Sequence, residues 1–196
     1  MARPRKFAEE DVIAAARDQF WSAGYAGTSL DDLTEATGLG RGSLYGAFGD
    51  KHDLFLRALD DYCGNVMSRV TADLRDGQGS GYQRLVAHIR AMANPTAAQA
   101  QRGCLMAKSA TELGAGDKEA LQRVRRSLQK YQSELRVAID EAQRAGELAP
   151  TPDADELALL VLTFLRGSEA LRKAGFSVAK MQTVAEQFIA VLPRAA

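Results

Sequence analysis

The stretch from Thr28 to Lys51, TSLDDLTEATGLGRGSLYGAFGDK, restricts the fold of this 196-residue chain more than any other. Thr28 and Ser29 are N-cap residue types, and Asp31 and Asp32 follow three positions later, so either pair is able to close a capping box. Leu30 and Leu33 give this first short helix an inner face. Gly38 supplies the permissive backbone that ends a helix, and Leu39 tucks in behind it. Gly40 is an acceptable but weak N-cap for a second helix, Arg41 to about Ala47. In that helix Leu44 and Phe48, four apart, face inward and leave Arg41, Ser43, Tyr45 and Gly46 on other faces. Two short helices around a glycine turn make a helix-turn-helix.

In such a unit the second helix enters the DNA major groove. Arg41 is the candidate for a bidentate contact to guanine, and Ser43 and Tyr45 reach phosphate or a thymine methyl. Gly42 and Gly46 belong to the same surface and contribute backbone shape in place of long side chains. Thr28, Ser29 and Lys51 stand at helix N-termini, where phosphates are favoured, so they position the motif without specifying sequence. Ahead of them Arg3, Arg5 and Lys6 form a basic arm; the alternative for this arm is a frayed, solvated terminus. The plainer reading of the second helix makes Tyr45 core and Ser43 only a cap.

Two segments extend the pattern: FWSAGYAGTSLDDL, Phe20 to Leu33, and TGLGRGSLYGAFGDKHDLF, Thr37 to Phe55. With Phe-x-x-x-Gly-Tyr-x-x-Thr-Ser, Gly-Leu, Gly-Ser-Leu-Tyr, Phe and Asp-Lys at family spacing, the first quarter of the chain resembles the TetR family of one-component transcriptional regulators. Thr34, Gly40 and the Gly46-Ala47 pair depart from the family's usual alanine, Ser/Thr cap and His or aromatic residue. The recognition helix therefore has fewer long side chains for reading bases. The resemblance implies an all-α protein of about nine helices. Residues 1–52 are then the DNA-binding domain, and residues 53–196 a helical domain for ligand binding and dimerisation. It further implies a homodimer joined through the last two helices, a near-palindromic double-stranded operator, and a small-molecule effector among helices four to eight.

Beyond the motif, helical periodicity continues. Val12, Ile13, Ala16 and Phe20 stripe a first helix from Ala8 to about Ala23, with Trp21 and Tyr25 assigned to its core. A long fourth helix runs from Asp50 to about Asp76 and forms the mechanical link to the rest of the chain. The fifth is placed at Tyr82–Ala93, stopped by Asn94-Pro95, and the sixth at Gln101–Leu113. Asp117 caps the seventh, which reaches about Ala145. The eighth, Ala154 to Lys173, contains LALLVLTFL and is apolar almost all round, so it must be buried on several sides. The ninth is Ser177 to Leu192.

Composition excludes more than it selects. With 46% hydrophobic and 26% charged residues the chain is ordinary globular material, and its formal net charge is zero. Binding to DNA must then depend on the charge of one face, with little help from counterion release. Cys63 and Cys104 offer no CxxC, and His52 and His88 add no metal-ligand spacing, so neither cofactor nor metal is expected. No stretch of transmembrane length and no signal peptide is read, which points to the cytoplasm. No Ser-His-Asp, paired-carboxylate or metal constellation marks an enzyme.

For the effector the candidates are Met67, His88, Met92, Cys104, Met106, Ser109, Tyr131, Phe164 and Arg166, most of them equally readable as core. Cys104 stands apart. The segment RGCLMAKSATEL resembles a branch of the family whose sixth helix opens with Gly-Cys-Leu and in which some members sense electrophiles or oxidants. A thiol in a first helical turn, with Arg102 and Lys108 near in sequence, is favoured as thiolate. The alternatives to a ligand-released repressor are a redox sensor acting through Cys104, a helical ligand-binding protein without DNA function, and an architectural protein without ligand.

Overall fold

The computed structural model describes residues 8–195, whose regular structure is helical apart from one isolated antiparallel bridge between Leu148 and Arg194. The helices are α1 (Glu9–Ala23), α2 (Leu30–Thr37), α3 (Arg41–Phe48), α4 (Lys51–Leu74), α5 (Gly81–Ala93), α6 (Ala97–Arg102), α7 (Leu105–Leu113), α8 (Lys118–Arg144), α9 (Ala154–Lys173) and α10 (Val178–Ala190); a 3-10 turn, Gly114–Gly116, follows α7. Each of the nine helices expected from periodicity has its counterpart, and the six-residue α6 is additional. The basic arm of Arg3, Arg5 and Lys6 lies outside the described residues.

One boundary differs from expectation. The helix placed at Gln101–Leu113 begins instead at Leu105, because Gly103 takes φ 72 and ψ −147 and ends α6. Only glycine adopts that backbone without strain. α6 itself starts from a reciprocal capping box, with the Thr96 hydroxyl accepting from the Gln99 N–H and the Gln99 side chain accepting from the Thr96 N–H. The break moves Cys104 out of the first helical turn to the N-cap position of α7.

The chain divides into two compact units, Met1–Asn65 with Cys104–Arg125, and Val66–Gly103 with Arg126–Ala196. In the first, Phe20 is fully buried against Phe55 (ring centroids 5.1 Å apart), and Tyr25 packs on Phe55 at 4.9 Å. Leu33, Leu44 and Phe48 close this core beneath α2 and α3. Trp21 meets the edge of Tyr62 at 5.1 Å, so both aromatics flanking the end of α1 serve packing. Two α7 residues one turn apart grip that end. Lys108 Nζ donates to the carbonyls of Trp21 (2.7 Å) and Ser22 (3.1 Å), and Glu112 accepts from the Tyr25 N–H at 2.8 Å. Gly24 is needed there twice over: its φ is +83, and a Cβ would fall 2.1 Å from the Glu112 carboxylate.

In the second unit Val70, Leu74, Leu85, Ile89, Leu135, Ile139, Leu157, Val161 and Leu165 form one continuous core. Glu134, which hydropathy does not single out, is buried and takes the Arg75 guanidinium in a two-pronged ion pair. The first turn of α5 lies on the α8 backbone, where a Cβ at Gly81 would stand 2.3 Å from the Ala138 carbonyl. α9 buries Leu157, Ala158, Val161, Leu162 and Leu165 on one side. Its other side is bare: Leu159 and Leu160 are each 52% exposed, and Leu171 is 43% exposed. Within one chain α9 is covered on one face only.

Candidate nucleic-acid interface

The motif is built from caps and glycines. Ser29 is the N-cap of α2; its hydroxyl accepts from the Asp32 N–H at 3.1 Å, and the Asp32 carboxylate accepts from the Ser29 N–H and hydroxyl, each at 2.7 Å. The box is therefore Ser29–Asp32. The Ser29 hydroxyl and N–H hold the Asp32 carboxyl below its usual range. Gly38 in the left-handed region (φ 67) ends α2. Gly40 caps α3 without a side-chain bond, and its carbonyl accepts from the Ser43 N–H at 2.9 Å and the Leu44 N–H at 3.1 Å. That helix end is suited to a phosphate.

On α3, Leu44 and Phe48 are buried, whereas Arg41, Gly42, Ser43, Tyr45 and Gly46 are all exposed. Tyr45, at 48% exposure, is not core. The Arg41 guanidinium rests on Asp31 of α2 at 2.6 Å, with both side chains largely in solvent. Its hydrogen bond to Asp31, reinforced by the carboxylate's charge, raises the Arg41 pKa above its ordinary value. An exposed pair of this kind is weak and screened by salt, so the guanidinium remains available to a base.

The remaining expected contacts divide. Ser29 is exposed at the α2 N-terminus. Lys51 is half-buried at the start of α4, its ammonium 4.4 Å from the centre of the Tyr25 ring. Thr28 is 1% exposed, and its hydroxyl donates to the Gly24 carbonyl at 2.7 Å. It ties the turn after α1 instead of offering its hydroxyl to phosphate, because Ser29 and not Thr28 occupies the N-cap. Asp50, His52 and Asp53 bring ligand atoms within 4.8 Å of one another. These groups have structural partners: Asp50 and Asp53 exchange bonds to each other's backbone, and His52 Nε2 lies 2.7 Å from Asp117.

The nine effector candidates fall into both units. Met67, His88, Met92, Tyr131, Phe164 and Arg166 belong to the second, and Cys104, Met106 and Ser109 to the first. Three of the six come together. His88 is buried with Nδ1 2.8 Å from Asp73 and Nε2 2.5 Å from the Tyr131 hydroxyl, and the Arg166 guanidinium sits 5.2 Å from the centre of the Tyr131 ring. Burial pushes the Tyr131 phenol far above its ordinary value, an effect Arg166 opposes and Glu169 and Asp73 reinforce. Met67 is part of the core, Met92 lies against it, and Phe164 stacks on Phe188 at 4.0 Å. In the first unit Met106 is buried, Ser109 spends its hydroxyl on the Leu105 carbonyl, and Cys104 is buried at 8% exposure. None of the nine lines the roughly 430 Å³ surface cleft between the end of α3 and the start of α8, whose charged walls include Arg57, Asp60 and Arg123. Sequence reading passed over Glu169 and Arg172, although charges inside an apolar helix are visible in the letters alone.

The family model for the N-terminal part of bacterial regulatory proteins of the tetR family matches residues 12–58, and the one for the tetracyclin repressor-like C-terminal domain matches residues 81–188. The chain belongs to the TetR family. As a TetR-family protein it is a DNA-binding transcriptional regulator of helix-turn-helix type and not an enzyme. It is 29% identical over 194 residues to the HTH-type transcriptional repressor ComR of Escherichia coli K12, covering 97% of this chain and 91% of that protein. To the transcriptional regulator YezE of Bacillus subtilis 168 it is 30% identical over 154 residues, 76% of each. Among solved TetR structures, a cysteine mutant of the regulator CifR complexed with 26-base-pair double-strand operator DNA superposes with a TM-score of 0.79 at 28% identity, over 98% of this chain and 100% of that one. A TetR-family regulator from Cytophaga hutchinsonii gives a TM-score of 0.83 at 25% identity over 94% of both chains. Among the described residues no helix of this TetR protein is long and apolar enough to cross a membrane.

Proposed function

We propose that this protein is a homodimeric, cytoplasmic repressor that binds a near-palindromic operator and is released from it by a small molecule. The observation that carries the reading is α3, a short helix with Arg41, Ser43 and Tyr45 all exposed on a glycine-built turn. The bare apolar side of α9, with Leu159, Leu160 and Leu171, supplies the face that a second copy covers, together with Val184 of α10. Two recognition helices related by a two-fold axis then read two half-sites. The 26-base-pair operator bound by CifR has room for half-sites one turn apart. In this reading residues 1–52 serve DNA, and residues 53–196 serve effector and dimer.

Release is linkage. The effector binds better to a state in which α4, continuous from the motif into the second unit, has swung the recognition helices off half-site spacing. A hundredfold loss of operator affinity requires about 2.7 kcal/mol of differential binding, within reach of one well-filled pocket. The second reading makes Cys104, in the Gly-Cys-Leu branch, an electrophile sensor. Its place at the N-terminal end of α7 favours the thiolate, and its burial opposes it. A gel shift with the gene's own upstream DNA, with and without unrelated competitor, tests the reading. A discrete complex that survives competitor is expected, and binding indifferent to sequence contradicts it.

A further inference from the structure

α1 carries no basic residue in its last turn, and Gly24, with φ 83, ends it. In an uninterrupted helix the Trp21 carbonyl would accept from the Tyr25 N–H, and the Ser22 carbonyl from the Ala26 N–H. Here both pairs are parted, and α7 takes each half. Lys108 Nζ donates to the Trp21 and Ser22 carbonyls at 2.7 and 3.1 Å. Glu112 Oε2 accepts from the Tyr25 and Ala26 N–H groups at 2.8 and 3.4 Å. The two side chains are one turn apart on one face of α7.

Each half of this clamp has a physical sense. A cation suits the carbonyls at a helix C-terminus, an anion suits free N–H groups, and hydrogen bonds to charged groups are the stronger kind. For stability alone, a lysine or arginine in the last turn of α1 would serve as well. The clamp comes instead from a helix set between two glycines in the left-handed region, Gly103 (φ 72) and Gly114 (φ 48). α7 lies far along the chain from the motif, yet it packs in the unit that holds it. Only Gly27 and Thr28 stand between Ala26 and Ser29, the N-cap of α2, and Thr28 is tied back to the Gly24 carbonyl. The clamp therefore reaches α2 through a short, bonded turn, and α3 follows α2 across Gly38.

We propose that Lys108 and Glu112 are positioning residues for DNA recognition: acting from α7, they hold the end of α1 parted and so set how α2 and the recognition helix α3 are presented. The proposal uses the DNA-binding activity of the TetR family, and neither the effector nor the dimer proposed above. At Glu112 charge and position pull in opposite directions. Removing the carboxylate makes the protein less negative, which by charge alone tightens binding to any DNA. Removing the acceptor lets the turn shift, which weakens binding to the recognised sequence only.

The test uses the intact protein and the double-stranded sequence that wild type enriches from a random pool, with unrelated DNA of equal length as control. Dissociation constants for both are measured at fixed salt, well below the melting temperature, and referred to the protein active in stoichiometric titration. Glu112→Leu should bind the enriched sequence about tenfold or more weakly, and unrelated DNA no more weakly than wild type does. Glu112→Gln, which keeps an acceptor at the same reach, should retain most of the affinity. Lys108→Met, on the carbonyl side, should show a loss larger on the enriched sequence than on unrelated DNA, and Lys108→Arg should restore it. Enriched DNA bound by both Glu112→Leu and Lys108→Met as tightly as by wild type overturns the proposal. So does a loss shared equally by the two DNAs, or a Glu112→Gln variant as weak as Glu112→Leu. A wild type that enriches no sequence contradicts sequence-specific binding itself, and the proposal with it.

Discussion

Arg41 is paired with Asp31 of α2, and in the proposed reading the exchange of that partner for a base is the elementary act of recognition. Arg41→Ala should weaken operator binding on the order of tenfold or more, and should relax preference at one position of each half-site. Asp31→Asn frees the guanidinium and removes a negative charge from the DNA-facing side. Tighter operator binding, measured by fluorescence anisotropy at fixed salt, is expected. Weaker binding instead would mean that Asp31 preorganises Arg41. Thr28 serves a different purpose. Thr28→Val should cost about 1 kcal/mol of stability by leaving the Gly24 carbonyl short of a donor, with operator affinity of the folded protein unchanged. Residue type and spacing were enough to nominate Arg41, Ser43 and Tyr45. They could not separate Thr28 from Ser29, because both are good caps and only the path of the turn decides which hydroxyl faces inward.

At the scale of elements, α2 depends on its capping box. The Asp32 carboxyl is depressed in the fold by the Ser29 hydroxyl and N–H. A depressed carboxyl contributes stability that is fully present above the ordinary aspartate value, about 3.9, and is lost as pH falls through the folded value. Asp32→Asn should therefore lower the melting temperature near neutral pH and shrink the difference from wild type as the solution is acidified below about pH 4; a difference constant with pH contradicts the assignment. Elements with strong periodicity, such as α4, α8 and α9, were legible in the sequence to within about two residues, as helix ends generally are. α6 was not, since its six residues carry too little periodic signal and only the Thr96–Gln99 box marks its start. The Gly103 break after it was missed for the same reason, and with it the place of Cys104. Periodicity counts apolar faces but does not say what covers them, and within one chain a single side of α9 is covered.

The whole molecule, in this account, is two recognition helices held at a set spacing by an apolar seam on α9 and α10. Leu160 is half exposed there and makes no demand on the core of its own chain, so Leu160→Glu should leave the fold intact and disfavour only the paired state. The site on DNA follows from symmetry, but the effector chemistry does not. The most direct test is the stoichiometry of the protein–operator complex, measured by sedimentation with the full operator and with an isolated half-site, for wild type and Leu160→Glu. Two chains on the full operator, with the variant monomeric and at least about tenfold weaker on the same DNA, is the predicted result. A wild-type chain that binds the full operator singly, or a monomeric variant that binds it as tightly as wild type, would contradict the account.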